Sequence, residues 1–247
     1  MTGTIFQSML ATSLRDKISL FYSTLFPVAL LVGLGLYFDS PAYKPVLTTG
    51  VIGLGSLFWA LQGVAFQVMQ QRNKGVYKLL RLAPYPTLSF ILCMTLARTV
   101  LGLAMSVLVL LAAVVVLGLP VTLAGVLTLL VVLAAGTLCF TALGFLVANM
   151  ARNEGQINML SNLLYLPMVF GTDAFYSLAG APGWIEAVGR CFPFAYFVDG
   201  MRSALAGHYA DAAVSVAIVA GFTAAVLLLA AVTFRWDADQ SPLGGKA

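Results

Sequence analysis

The chain has 247 residues, 61% of them from the set AVILMFWYC and 9% charged, with a formal net charge of +4. A water-soluble domain carries about 45–50% apolar and about 25% charged residues, so a soluble globular fold is excluded. An aromatic-rich, charge-poor chain is not disordered, and three widely spaced cysteines, Cys93, Cys139 and Cys191, do not make a disulfide scaffold.

Residues 1–17 read as an interfacial helix, with Ile5 and Met9 at helical spacing and Arg15-Asp16-Lys17 facing water. A membrane-crossing helix needs about 20 mostly apolar residues. The uncharged runs predict such spans near 18–38, 46–69, 90–118, 121–148, 157–172 and 212–234. The third and fourth share one uncharged run, 99–151, which Gly118-Leu119-Pro120 divides. The third helix, taken from Thr87, is too long for the membrane core. Its first part, 87–98, is expected at the interface, with Arg98 reaching toward headgroups.

Lipid offers no partner to free backbone groups, and these runs lack the alternation of barrel strands. The expected fold is an all-α integral membrane protein with six transmembrane helices. With the N-terminus inside, Arg15, Lys17, Arg72, Lys74, Lys78, Arg81, Arg152, Arg235 and Lys246 fall on the cytoplasmic side. Only Lys44, Arg190 and Arg202 fall outside. The excess of inner cations places both termini in the cytoplasm. The basic character therefore belongs to one membrane face and implies no nucleic-acid partner.

Two segments between spans carry most of the remaining charge. Residues 72–86 hold Arg72, Lys74, Lys78 and Arg81 without a carboxylate. Val76, Leu79, Leu80 and Ala83 form one helical stripe there, and Pro84 and Pro86 end it. Such a helix suits a protein partner or anionic membrane lipids. Residues 173–211 form an outer hairpin of two short amphipathic or re-entrant helices. Trp184, Glu186 and Arg190 lie on the first; Pro193, Tyr196, Asp199 and Arg202 lie on the second. Glu186 and Arg190 stand i, i+4 and are placed to pair. Along the last span Ala213, Ala217, Gly221 and Ala225 make a small-residue ridge, and Tyr209 and Trp236 bracket it as interfacial anchors.

No G-x-x-x-x-G-K-[ST] segment is present, so the chain has no phosphate cradle of its own. His208 is the single histidine, no G-x-S-x-G occurs, and no metal set or catalytic constellation can be assembled. The reading is a non-enzymatic chain that binds no cofactor or metal itself.

The stretch Arg72 to Pro84, through Arg72, Gly75, Leu79, Leu80 and Pro84, resembles the E/R-x-x-G-t-l-e-x-L-l-x-x-P element of ABC-2 type exporter permeases. Pro167, Pro182-Gly183-Trp184 and the run from Pro193 to Arg202 look like that family's l-P…P-g-w…n-P-l-t-y-v-v-d-a-l-R. The chain departs from the family at Phe170–Ser177, where l-S-G-x-f-f-P is usual.

The resemblance implies the permease subunit of an ATP-driven exporter in a bacterial cytoplasmic membrane, moving a drug, lipid or glycan-like substrate outward. It implies a second permease copy, or a homologous one, and separate ATP-binding subunits that hold ATP and Mg. By the same likeness 72–86 would be the coupling helix, with Arg152 and Glu154 in a second ATPase contact and the N-terminal helix a third. The outer hairpin would cap the exit. An ion-gradient-driven secondary transporter and a non-transport membrane assembly factor are the alternatives. The first needs midplane ionisable groups or matching broken helices, and the sequence displays neither.

Overall fold

The computed structural model describes residues 21–38, 40–75, 87–178, 180 and 182–233, with the side chains of 22, 23 and 87–94 left aside. Every regular element among them is helical. A π-helical turn, Phe21–Leu25, leads into α1 (Phe26–Phe38). Then follow α2 (Tyr43–Asn73), α3 (Thr87–Leu117), α4 (Leu123–Met150) and α5 (Glu154–Phe170). Two short helices, α6 (Gly183–Arg190) and α7 (Pro193–Ala206), precede α8 (Tyr209–Val232). Four helices, α2, α3, α4 and α8, are long and apolar enough to cross a membrane. α1 and α5, with 13 and 17 residues, are shorter.

Helix ends follow local chemistry. The break between α3 and α4 falls at Gly118, whose φ of 64° is the left-handed backbone a glycine adopts without strain. Thr122 then caps α4, its hydroxyl accepting the Gly125 N–H at 3.0 Å. At the start of α5 Asn153 Oδ1 accepts the Gln156 N–H, while Gln156 Oε1 accepts the Arg152 N–H, a reciprocal capping pair. Inside the helices, Thr48, Thr99, Thr137 and Thr223 donate their hydroxyls to the carbonyl four residues back. That bond removes an unpaired donor from an apolar surrounding.

α4 is the central post, packed against α2, α3, α7 and α8. Arg72 near the end of α2 meets Ala148 of α4, and Asn149 of α4 meets Ala230 of α8, so these three helices run the same way. This end is termed the basic end. At the opposite end Thr122 meets Tyr209, and Tyr43 meets Phe175.

The second helix of the amphipathic or re-entrant hairpin expected there runs into the bundle. α7 lies along α4, with Ala204 near Gly125, Gly200 against Val132, and Phe194 and Phe197 on Phe140. Phe140 is seventeen residues into α4, about 25 Å of helix. α7 therefore enters the bundle from its middle. Gly136 admits it: any side chain there would occupy the place of the Phe197 ring. α6 is held by an equally close contact between Gly189 and the Gly171 carbonyl. By contrast Ala213, Ala217, Gly221 and Ala225 of α8 are exposed among the described residues.

Gly189→Ala should lower the melting temperature of the detergent-solubilised protein, by an overpacking penalty of about 1–3 kcal/mol. Gly183→Ala, whose new methyl meets nothing within 4 Å, should leave it unchanged. Equal melting of the two variants would contradict this packing.

Candidate functional site

The residues singled out in the sequence separate to the two ends of the bundle. At the basic end, α2 extends to Asn73 and so takes Arg72 into its last turn. Lys74 and Gly75 form the turn that leaves it, with Gly75 at a φ of 71°. Lys74 is exposed, as are Arg152, ahead of α5, and Glu154 at its start. Lys78, Leu79, Arg81 and Pro84 lie outside the described residues, as do the N-terminal helix and Trp236.

Arg72 is not available to a docking partner. It is 3% exposed, and its guanidinium donates to the Ala148 carbonyl at 2.9 Å and to Asn149 Oδ1 at 3.2 Å. The reason is positional: helix α2 runs four residues past the span expected from hydropathy, which turns Arg72 toward the end of α4 instead of the water.

At the other end Trp184 is 68% exposed on α6. Glu186 and Arg190 pair as their spacing predicts, Arg190 Nε donating to Glu186 Oε1 at 3.0 Å. That bond holds the Arg190 guanidinium above its ordinary pKa. Pro193 is buried at the start of α7, and Tyr196 packs on Phe222 with ring centroids 6.3 Å apart. Asp199 and Arg202 are half-buried by the insertion of α7. Burial pushes the Asp199 carboxyl up, against the pull of Arg190 and Arg202, and pushes the Arg202 guanidinium down. Arg202 donates to the Asp173 carbonyl, and Asp173 Oδ1 accepts the Leu178 N–H at 2.8 Å. These bonds tie the loop after α5 to α7.

A third group was not visible from charge. Within α2, Phe58–Gln62 winds as a π-helix, a form frequent at functional sites in other proteins. The Tyr165 hydroxyl lies 3.4 Å from the Leu57 carbonyl just ahead of it and 3.3 Å from Gln62 Oε1. Gln62 Nε2 donates to Asn158 Oδ1 at 2.9 Å. Asn158 and Asn162 are exposed on α5, and Gln62 is half-buried on α2, so one face of this helix pair carries amides in mid-bundle. Counting amides as well as charges within the uncharged runs would have found them.

Arg98 departs from expectation. It is 2% exposed, with its guanidinium carbon 4.8 Å from the Trp59 ring centroid and its Nε donating to Gln67 Oε1. Trp59 Nε1 returns a bond to the Arg98 carbonyl at 3.4 Å. The side chain does not reach for headgroups because α2 supplies an aromatic face and an amide at its level, which offset burial of the charge.

Among the described residues no three His, Cys, Asp or Glu gather to hold a metal. A bundle with four helices long and apolar enough to cross a membrane is a multi-pass membrane protein. Residues 2–206 match the ABC-2 type transporter family, and the chain belongs to that family. Its members are the non-catalytic membrane permeases of ABC transporters and normally work with an ATP-binding subunit. No curated protein matches the chain.

Gln67→Leu should destabilise the protein by about 1–3 kcal/mol, because Arg98 Nε loses its buried acceptor. Gln67→Leu combined with Arg98→Leu should cost less than the two single changes added, read as melting temperatures in a double-mutant cycle. Strict additivity would mean that the two side chains do not act together.

Proposed function

We propose that the chain is the permease subunit of an ATP-driven exporter, with the basic end in the cytoplasm and a separate ATP-hydrolysing subunit docked there. The observation that carries this reading is the junction at the end of α2. The helix ends just past a buried anchor, Arg72, and passes through a turn, exposed Lys74 and half-buried Gly75, into the basic segment 76–86. Lys78, Leu79, Arg81 and Pro84 of that segment complete the coupling element, and exposed Arg152 and Glu154 add a second contact on the same end. Anchoring the coupling element through buried Arg72 is what turning ATPase closure into span movement requires.

Both termini are then cytoplasmic, and the membrane is the bacterial cytoplasmic membrane. Two permeases, identical or homologous, form the complete pathway, and ATP and Mg are held by the partner. The amide face of Gln62, Asn158 and Asn162 is costly toward lipid. It suits the translocation path, where it hydrogen-bonds the polar portion of an amphiphilic substrate such as a drug, lipid or glycan conjugate. The hairpin residues Trp184, Glu186, Arg190, Asp199 and Arg202 cover the exit.

Charge reversal of the pair, Lys74→Glu with Lys78→Glu, should reduce copurification of the ATP-binding subunit by roughly tenfold or more, as expected when two attractive contacts become repulsive. Trp184→Ala at the opposite end should leave it intact. An unchanged complex after the reversal would remove the coupling role from this segment.

A further inference from the structure

Three helices end together at the basic end: α2 at Asn73, α4 at Met150 and α8 at Val232. Each helix C-terminus carries free carbonyls and roughly half a negative charge. Two buried side chains, Arg72 and Asn149, stand among them, 3% and 1% exposed. Arg72 of α2 donates to the Ala148 carbonyl of α4 and to Asn149 Oδ1. Asn149 in turn donates through Nδ2 to the Ala230 carbonyl of α8 at 2.9 Å and to Thr233 Oγ1 at 3.4 Å. One guanidinium and one carboxamide thus join three helix ends in series.

We propose that Arg72 and Asn149 form a transmission latch that makes the basic ends of α2, α4 and α8 one rigid unit, so that displacement of segment 76–86 moves three spans at once.

The chemistry sets the order of the chain. A planar guanidinium serves two acceptors on different groups at fixed angles, which a lysine cannot. The Asn149 carboxamide accepts from Arg72 and donates to Ala230, so it is the relay between α2 and α8. In a buried, low-dielectric position these bonds are strong when complete and costly when broken, which favours a single arrangement over a graded one. α5 also approaches this end, where an exposed turn leads into it and its first turn is closed by Asn153 and Gln156 capping the Gln156 and Arg152 N–H groups. α5 is accordingly the helix against which the latched unit shifts. Arg72 and Asn149 are positioning residues, acting through the helices they join. What pushes the unit rests on the docking proposed above; the latch itself does not.

Spin-label distances in a cysteine-free background test this. Labels go on Asn73 of α2, Met150 of α4, Val232 of α8 and Leu163 of α5, all exposed positions. In the permease alone, the Asn73–Met150 and Asn73–Val232 distributions should be narrow. Arg72→Ala should broaden both, and Arg72→Lys should give intermediate widths. Asn149→Asp keeps the acceptor for Arg72 but sets a carboxylate against the Ala230 carbonyl. It should broaden Asn73–Val232 while leaving Asn73–Met150 narrow.

In the complex with its ATP-binding subunit, trapping with ATP and vanadate should shift Asn73–Leu163 and leave Asn73–Val232 in place. In Arg72→Ala, ATP hydrolysis should persist while the α8 labels no longer follow α2. A merely structural role would lower yield and melting temperature but leave the nucleotide response of the folded protein unaltered. Distributions identical in the parent, Arg72→Ala and Asn149→Asp would overturn the latch. So would a nucleotide-driven change of Asn73–Val232 in the parent as large as that of Asn73–Leu163. Failure of the ATP-binding subunit to copurify would count against the docking instead, since the measurements on the permease alone would still stand.

Discussion

Helices in a bilayer gain nothing from hiding apolar side chains from one another, because lipid is equally apolar; what holds them is close packing. In this chain that constraint is concentrated on α4, and most sharply at Gly136, where the Phe197 ring lies against backbone with no side chain between. The position of α7 follows from this contact, continued by Phe140 above and Val132 and Gly125 below. The loop after α5 follows from α7, because Arg202 draws the Asp173 carbonyl to it. The half-burial of Asp199 and Arg202 is a consequence of the same insertion.

Many polar groups are paired inside the bundle, as an apolar surrounding favours, although the hydroxyls of Thr141 and Ser161 are buried without a hydrogen bond. Other threonine hydroxyls are returned to their own helices, and the carbonyl ahead of the π-helical segment meets a tyrosine. Two buried arginines, Arg72 and Arg98, solve the problem differently. Arg98 joins α3 to α2 in mid-bundle through Trp59 and Gln67. Arg72 works at the helix ends, where carbonyls are free in any case. The amides of Gln62, Asn158 and Asn162 do not share this enclosure.

Much of this was legible beforehand. Gly118-Leu119-Pro120 marked the break between α3 and α4 because a left-handed glycine and a proline end helices by local sterics alone. The Glu186–Arg190 pair followed from the helical repeat, and Pro193 from its fitness for a first helical turn. The direction of Arg72 and Arg98 was not legible. Hydropathy assigns a charged residue to the nearest span end, since it has no means of knowing that Trp59 stands across from Arg98, or Asn149 across from Arg72. The midspan amides escaped for a related reason, as they carry no charge and do not interrupt an apolar run.

The amino-acid order alone settled the solvent, the helical class and most helix ends, because each depends on composition or on contacts a few residues apart. It also carried the motifs of the permease family in their proper sequence. The depth of α7, the inward turn of both arginines and the meeting of three helix ends at Asn149 came only with the folded bundle. Each joins residues some thirty to eighty positions apart, and no local periodicity records which distant face a helix will find.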